Sequence, residues 1–320
     1  MKITNELLLQ RLQHLENNQY AETTIENYFT DVKLFLERLK QKNGIETVTT
    51  EDLRLIEIEN WKTVLWKTLT PKTSIYYMVR PTLSQATIQS KLTAIKSFMK
   101  YLNVFYDVWF DYRKIETKRV KSDYIECLTE DERKRFFRFI WEYEKYRINS
   151  LRMKLLCNIA YTSGLRLSEI LSLTVEQVRM KETRITWKWK KTRRVFFTDS
   201  SESLLEEYMK EREKPIPRTW ITEPYSDFIF ISHNSGYDYG NPIKKNTICE
   251  IMKKYSDWLG LWKRITVHSL RHSYATRLLE SWMNIREIQE LLGHCDIQTT
   301  QNYTHVLKSN LRNKVNAVFT

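Results

Sequence analysis

A chain of 320 residues is long enough to form two domains that each bury a core. Its hydrophobic share of 42% and charged share of 28% are ordinary for a soluble globular protein, and no apolar run approaches the roughly 18 residues of a membrane span, so no membrane-spanning helix is expected. The formal charge of +13, from 52 Lys+Arg against 39 Asp+Glu, points to a polyanionic partner such as nucleic acid.

The opening decapeptide, Met1 to Gln10, is followed at once by Arg11 and Glu16, so no signal-peptide core is expected and the protein is read as cytosolic. Residues 5–42 carry two helical patterns, one on Leu7, Leu8, Leu12 and Leu15, the next on Ile25, Tyr28, Phe29, Val32, Phe35 and Leu36. Thr23 or Thr24 is the expected cap of the second helix. Thr49-Thr50-Glu51-Asp52 opens a helix through Leu53, Ile56 and Trp61. After a turn-rich stretch around Pro71 and Pro81, a strong helix runs from Ser84 through Leu92, Ile95, Phe98, Met99 and Leu102. The expectation is a small all-α bundle over residues 1–111.

Residues 112–123 are charged, basic and weakly periodic, and are expected to form a linker. A second domain over 124–320 then opens at Thr129, a capping residue followed by Glu130, Asp131 and Glu132. Helices continue through Ile159. The runs from Arg184 and from Arg194-Val-Phe-Phe predict a β-hairpin, Phe228 to Ile231 a short extended piece, and 243–317 a return to helix, with Gly293 stopping one helix at a left-handed position. The fold class is therefore mainly α with a small β-hairpin (α+β). Cys127, Cys157, Cys249 and Cys295 are scattered without a CxxC pair, which argues against a structural zinc site or a disulfide framework and for reduced, mostly buried thiols.

The chemistry concentrates near the end of the chain. His268 and Arg271, three apart, share a helix face in His-Ser-Leu-Arg-His-Ser-Tyr. His294 follows in Leu-Gly-His, and Tyr303, in Tyr-Thr-His-Val, comes nine residues later. An earlier segment, Thr-Ser-Gly-Leu-Arg-Leu-Ser-Glu, supplies Arg166 and Glu169. Two guanidinium groups offer planar forks of donors to the non-bridging oxygens of a phosphate and stay charged at any working pH. A phenol beside them suits attack on a phosphodiester.

These residues together resemble the tyrosine recombinase (phage integrase) family. The resemblance covers nearly the whole chain and is specific over 162–170 and 266–306. It implies an N-terminal SAM-like helical core-binding domain and a C-terminal catalytic domain that clamp duplex DNA like a C. It further implies Tyr303 as nucleophile, forming a 3′-phosphotyrosyl bond and releasing a 5′-hydroxyl. Arg166 and Arg271 would hold the phosphate, His268 and His294 would donate to it, and Glu169 would orient the site. His272 and His305 are adjacent extras. The general acid of this family is a lysine at the hairpin turn; counting forward from Arg166 favours Lys190, with Lys191 next and Lys188 the remaining choice. Segments Thr23–Tyr28 and Ala86–Phe98 would meet DNA. Neither ATP nor a redox cofactor is called for, since the covalent link conserves the energy of the phosphodiester, and the arginines can stabilise the phosphate without a metal.

A tetramer on double-stranded DNA, with an accessory directionality factor and no membrane partner, completes that picture. The tail 307–320 carries Leu311, Val315 and Val318 at near-helical spacing, as for docking on a neighbouring protomer. Trp282 stands where the family often has glycine, and the hairpin is short. The length of 49–83 leans toward integration or excision of a mobile element rather than Xer-type dimer resolution. Two further readings are a type IB topoisomerase-like enzyme and a catalytically silent DNA-binding protein.

Overall fold

The structure, a computed structural model, describes residues 1–68, 82–117, 127–187, 191–213, 227–233, 240–261, 264–281 and 283–293. The chain divides into two compact units, Met1–Ser122 and Asp123–Thr320. Both are mainly helical, and the described sheet has two strands.

The first unit begins with α1 (Asn5–Asn17), capped by Thr4, whose hydroxyl accepts from the Leu7 amide at 3.3 Å. Helix α2 (Glu22–Asn43) starts one turn earlier than expected: the Ala21 carbonyl already accepts from the amides of Thr24 and Ile25, so neither Thr23 nor Thr24 is its cap. Likewise Thr49 caps a separate 3-10 turn, Thr50–Asp52, with Asp52 reaching back to its amide at 2.7 Å. Leu53 dips into the core there and breaks the run, and α3 (Leu55–Lys67) opens afresh after Arg54. Helix α4 (Gln85–Tyr106) is capped by Ser84 and buries Ile88, Leu92, Ile95, Phe98 and Leu102, the stripe its 3.6-residue period places on one side.

Residues 112–115, expected to begin the linker, belong to this packing. They form a 3-10 turn, Tyr112–Lys114, and Ile115 is 2% exposed with its carbonyl accepting from the Lys96 ammonium at 2.9 Å. A single buried apolar residue in a charged stretch has no period to reveal it.

The second unit opens with α5 (Glu130–Tyr143), where Thr129 and Glu132 form the expected reciprocal cap. The long α6 (Arg147–Ser163) is central: Leu155, Leu156, Cys157, Ile159 and Ala160 are fully buried, and α5, α9 and α11 pack around it. The leucines and the isoleucine each contribute roughly 1.5–3 kcal/mol by leaving water. It ends at Gly164, φ 61°, and two short helices follow, α7 (Leu167–Leu171) and α8 (Val175–Arg179).

Strands β1 (Glu182–Trp187) and β2 (Lys191–Phe196) pair antiparallel, Glu182 opposite Phe196 and Trp187 opposite Lys191. Helix α9 (Asp199–Arg212) comes next. The predicted extended piece forms isolated bridges, Phe228 to Thr174 and Ile231 to Pro242, and buries Ile229, Phe230 and Ile231. Helices α10 (Lys245–Leu259), α11 (Val267–Glu280) and α12 (Ile285–Leu292) complete the described unit, with Gly293 stopping α12 at φ 61° as expected. The tail 307–320 lies outside the described residues. Among the latter, no helix is long and apolar enough to cross a membrane.

Candidate active site

Arg166 is the residue before α7, extended at φ −74°, ψ 153°, because Gly164 has just turned the chain off α6. That geometry puts Glu169, three residues on, back over Arg166. The Glu169 carboxylate accepts the Arg166 amide at 2.8 Å through Oε2 and its guanidinium at 3.0 Å through Oε1. Glu169 is 6% exposed, so it is no solvated helix glutamate. A buried carboxylate is tolerable only when paired and hydrogen-bonded.

Two more guanidinium groups supply that pairing. Arg193, in β2, donates through Nη2 to Glu169 Oε2 at 2.6 Å and through Nη1 to the Leu292 carbonyl at 2.6 Å. Arg271, in α11, donates through Nη2 to the same Leu292 carbonyl at 2.6 Å and through Nη1 to the Gly164 carbonyl at 2.6 Å. Its Nη1 lies 3.9 Å from Glu169 Oε2. Arg271 is 2% exposed and Arg193 7%. Burial pulls the Arg193 guanidinium below its ordinary pKa, with Glu169 opposing and Arg166 adding to the fall. An arginine starts so high that it remains a cation at neutral pH.

Arg166, His268 and Arg271 line one cavity of about 450 Å³, together with Thr266, Lys245 and Arg264. His268 is reached by solvent, yet the protein crowding it lowers its pKa first, and Arg271 and Arg166 lower it further. Its ring meets that of His272 edge to face at 4.3 Å. The lowered pKa keeps the imidazole neutral at pH 7, where it still has one N–H to donate as a hydrogen bond. A larger cavity, about 630 Å³ between α6 and α10, has none of the predicted site residues in its lining. The chemistry expected of the sequence therefore belongs to the smaller one.

The structure thus brings together Arg166, Glu169, His268 and Arg271, from two segments a hundred residues apart. Lys188, Lys190, Trp282, His294, Cys295, Tyr303 and His305 lie outside the described residues. The hairpin register makes Lys191 the first residue of β2, opposite Trp187. Cys249 is exposed and lines the cavity, against the expectation of mostly buried thiols; Cys157 is fully buried. In the first unit Lys91, on the segment expected to meet DNA, is ion-paired with Asp31.

Arg193 was not foreseen. Between Thr192 and Arg194 it looks like another basic residue on a solvent-facing strand. The signal was available in the period of two: Arg193, Val195 and Phe197 alternate with exposed Thr192, Arg194 and Phe196, and the apolar members mark which face is inward.

A profile of the phage integrase family matches residues 126–310, and one of the phage integrase N-terminal SAM-like domain matches residues 9–104. Tyrosine recombinase XerD of Oceanobacillus iheyensis is 29% identical over 295 residues, 91% of this chain and 90% of that protein. Tyrosine recombinase XerC of Lactobacillus delbrueckii subsp. bulgaricus is 31% identical over 232 residues, 72% of this chain and 75% of that protein. A crystal structure of the XerH site-specific recombinase bound to palindromic difH substrate, a post-cleavage complex, shares the fold with a TM-score of 0.66 at 21% identity, covering 98% of this chain and 84% of that one.

Proposed function

The chain belongs to the phage integrase family of tyrosine recombinases, DNA breaking-rejoining enzymes with a tyrosine nucleophile, and we propose that it exchanges DNA strands at specific sites through Tyr303. The Tyr303 phenol gives up its proton to solvent, and its oxygen bonds to the scissile phosphorus as the bond from phosphorus to the 5′-oxygen breaks. The departing oxygen takes a proton from Lys190, and a 5′-hydroxyl from a second strand later reverses the step. Arg166 and Arg271 carry the charge of the pentacoordinate phosphate, with His268 and His294 donating to it. Glu169 fixes Arg166.

The observation that carries the reading is the Glu169-centred set of three arginines behind a cavity that Arg166, Arg271 and His268 share. Cations fixed before the substrate arrives need no reorganisation as charge develops on the phosphate. The partner is double-stranded DNA carrying recombination sites. Two duplexes, each cut on two strands, call for four protomers, with the tail 307–320 linking neighbours and an accessory factor giving direction.

Within this function, the relatives named XerD and XerC favour resolution of chromosome or plasmid dimers. Integration or excision of a mobile element is the other role, supported by the sequence lean noted for 49–83. A supercoiled plasmid with two direct copies of a candidate site tests the activity. Two product circles are expected. Relaxation without exchange would mark a topoisomerase-like enzyme, and tight binding with neither product a silent DNA-binding protein.

A further inference from the structure

The hairpin that carries the candidate general acid is a two-stranded ribbon, and such a ribbon is marginal on its own. Thr192, Arg194 and Phe196 on β2 and Glu182, Arg184 and Thr186 on β1 are exposed, while Thr183 and Ile185 are only half-buried. Among the described side chains of the two strands, Arg193 and Val195 are the buried ones. Val195 holds the root of the ribbon on an apolar core. At the level of Arg193 its register partner Ile185 also rests, half-buried, against that core, and Arg193 adds a hold by charge. Its two terminal nitrogens reach different segments: Glu169, which itself holds Arg166, and the Leu292 carbonyl at the end of α12, which Arg271 shares. The fit is close. A Cβ added at Gly293 would meet the Arg193 Nη1 at 2.7 Å and its Cδ at 3.0 Å.

We propose that Arg193 is a positioning residue for strand cleavage, fixing the lysine-bearing hairpin turn against the arginines that hold the phosphate. It touches neither phosphate nor leaving group. Lys190 lies three residues before it in the sequence, directly ahead of β2, so a loosened β2 disturbs the proton donor more than it disturbs Arg271, which keeps its own bonds to Gly164 and Leu292. A lysine at 193 can pair with Glu169 but lacks the fork to reach the Leu292 carbonyl as well.

The inference rests on the proposed roles of Tyr303 and Lys190, and its test separates the two. Full-length wild type, Arg193→Lys, Arg193→Gln and Lys190→Ala are given two nicked duplexes of the DNA flanking the gene. One has an ordinary scissile phosphodiester, the other a bridging sulfur in place of the 5′-oxygen. A thiolate leaves without taking a proton, so the sulfur duplex bypasses the general acid. Melting curves and DNA affinity are read in parallel, and Arg193→Lys, which keeps the charge, serves where Arg193→Gln does not fold. Expected is a tenfold or greater loss of covalent adduct for the Arg193 variants on the phosphodiester, DNA affinity within about twofold of wild type, and recovery to within a few-fold on the sulfur duplex, as for Lys190→Ala. Equal loss on both duplexes, or none on either, overturns the inference while leaving the family chemistry intact. A wild type that forms no adduct on either duplex overturns the reading beneath it.

Discussion

Arg193 and Arg271 donate to one acceptor, the main-chain carbonyl of Leu292, each at 2.6 Å. Two buried cations on one neutral oxygen would repel each other strongly in a medium of low dielectric without a counter-charge. Glu169 supplies it, 2.6 Å from Arg193 and 3.9 Å from Arg271. The last carbonyls of a helix carry partial negative charge and lack partners within the helix. The end of α12 is thereby pinned to α11 and β2, directly before the segment containing His294 and Tyr303.

Glu169→Ala therefore leaves Arg193 buried without its carboxylate, and breaking a buried pair from one side typically costs about 3–5 kcal/mol. Urea unfolding of the full chain should show a loss of that order in Glu169→Ala. Removing the cation too, in Glu169→Ala/Arg193→Met, should restore part of it, with a coupling of about 2 kcal/mol. Strictly additive losses would mean the pair does not carry the packing.

Gly164 answers to a different constraint. Its φ is 61°, and a Cβ there would lie 2.3 Å from the Tyr274 ring carbon Cδ1. Gly164→Ala should destabilise the chain by at least about 1–3 kcal/mol through strain and overlap. Because the Gly164 carbonyl holds Arg271, DNA cleavage should fall further than stability explains. A thermal melt beside an adduct assay checks both, and an unchanged Gly164→Ala would show that Tyr274 yields freely.

A third prediction concerns acid. His233 meets the Tyr208 hydroxyl at 2.8 Å, and burial, aided by Arg152 and Arg212, lowers its pKa to about 3. The unfolded imidazole, near 6.5, takes up a proton before the folded one does. Stability is thus full above about pH 6.5 and falls as the pH drops toward 3. The loss attributable to His233 is on the order of a few kcal/mol. His233→Asn should flatten that part of the pH profile of urea unfolding; an unaltered slope would assign it to other groups.

The three hairpin lysines give a fourth. Trp187 opposite Lys191 leaves Lys188 and Lys190 in the connection, so Lys191→Ala should cleave nearly as wild type while Lys190→Ala loses at least a hundredfold. Single-turnover adduct formation on an ordinary phosphodiester decides. Loss confined to Lys188→Ala would move the general acid two residues along the turn.

Much of this was legible in the sequence because the signals were local. Ser84, Thr129 and Gly293 mark helix ends through their own chemistry, and each behaves as its residue type dictates. His268 and Arg271 sit one turn apart, so their shared cavity follows from helical spacing. What escaped depends on contacts distant in sequence. Arg193 is buried only because Glu169 and Leu292, 24 and 99 positions away, meet there. Ile115 is held by Lys96, and the cap of α2 shifted to Ala21 because threonines in a first turn need not be the cap.

The central claim is that Tyr303 is the nucleophile of this arginine-lined site. The direct measurement incubates the protein with nicked duplex from the DNA flanking its gene, followed by denaturing electrophoresis. The account predicts a protein–DNA adduct that survives denaturation and disappears in Tyr303→Phe while that variant still binds the duplex. An adduct that persists in Tyr303→Phe would contradict it.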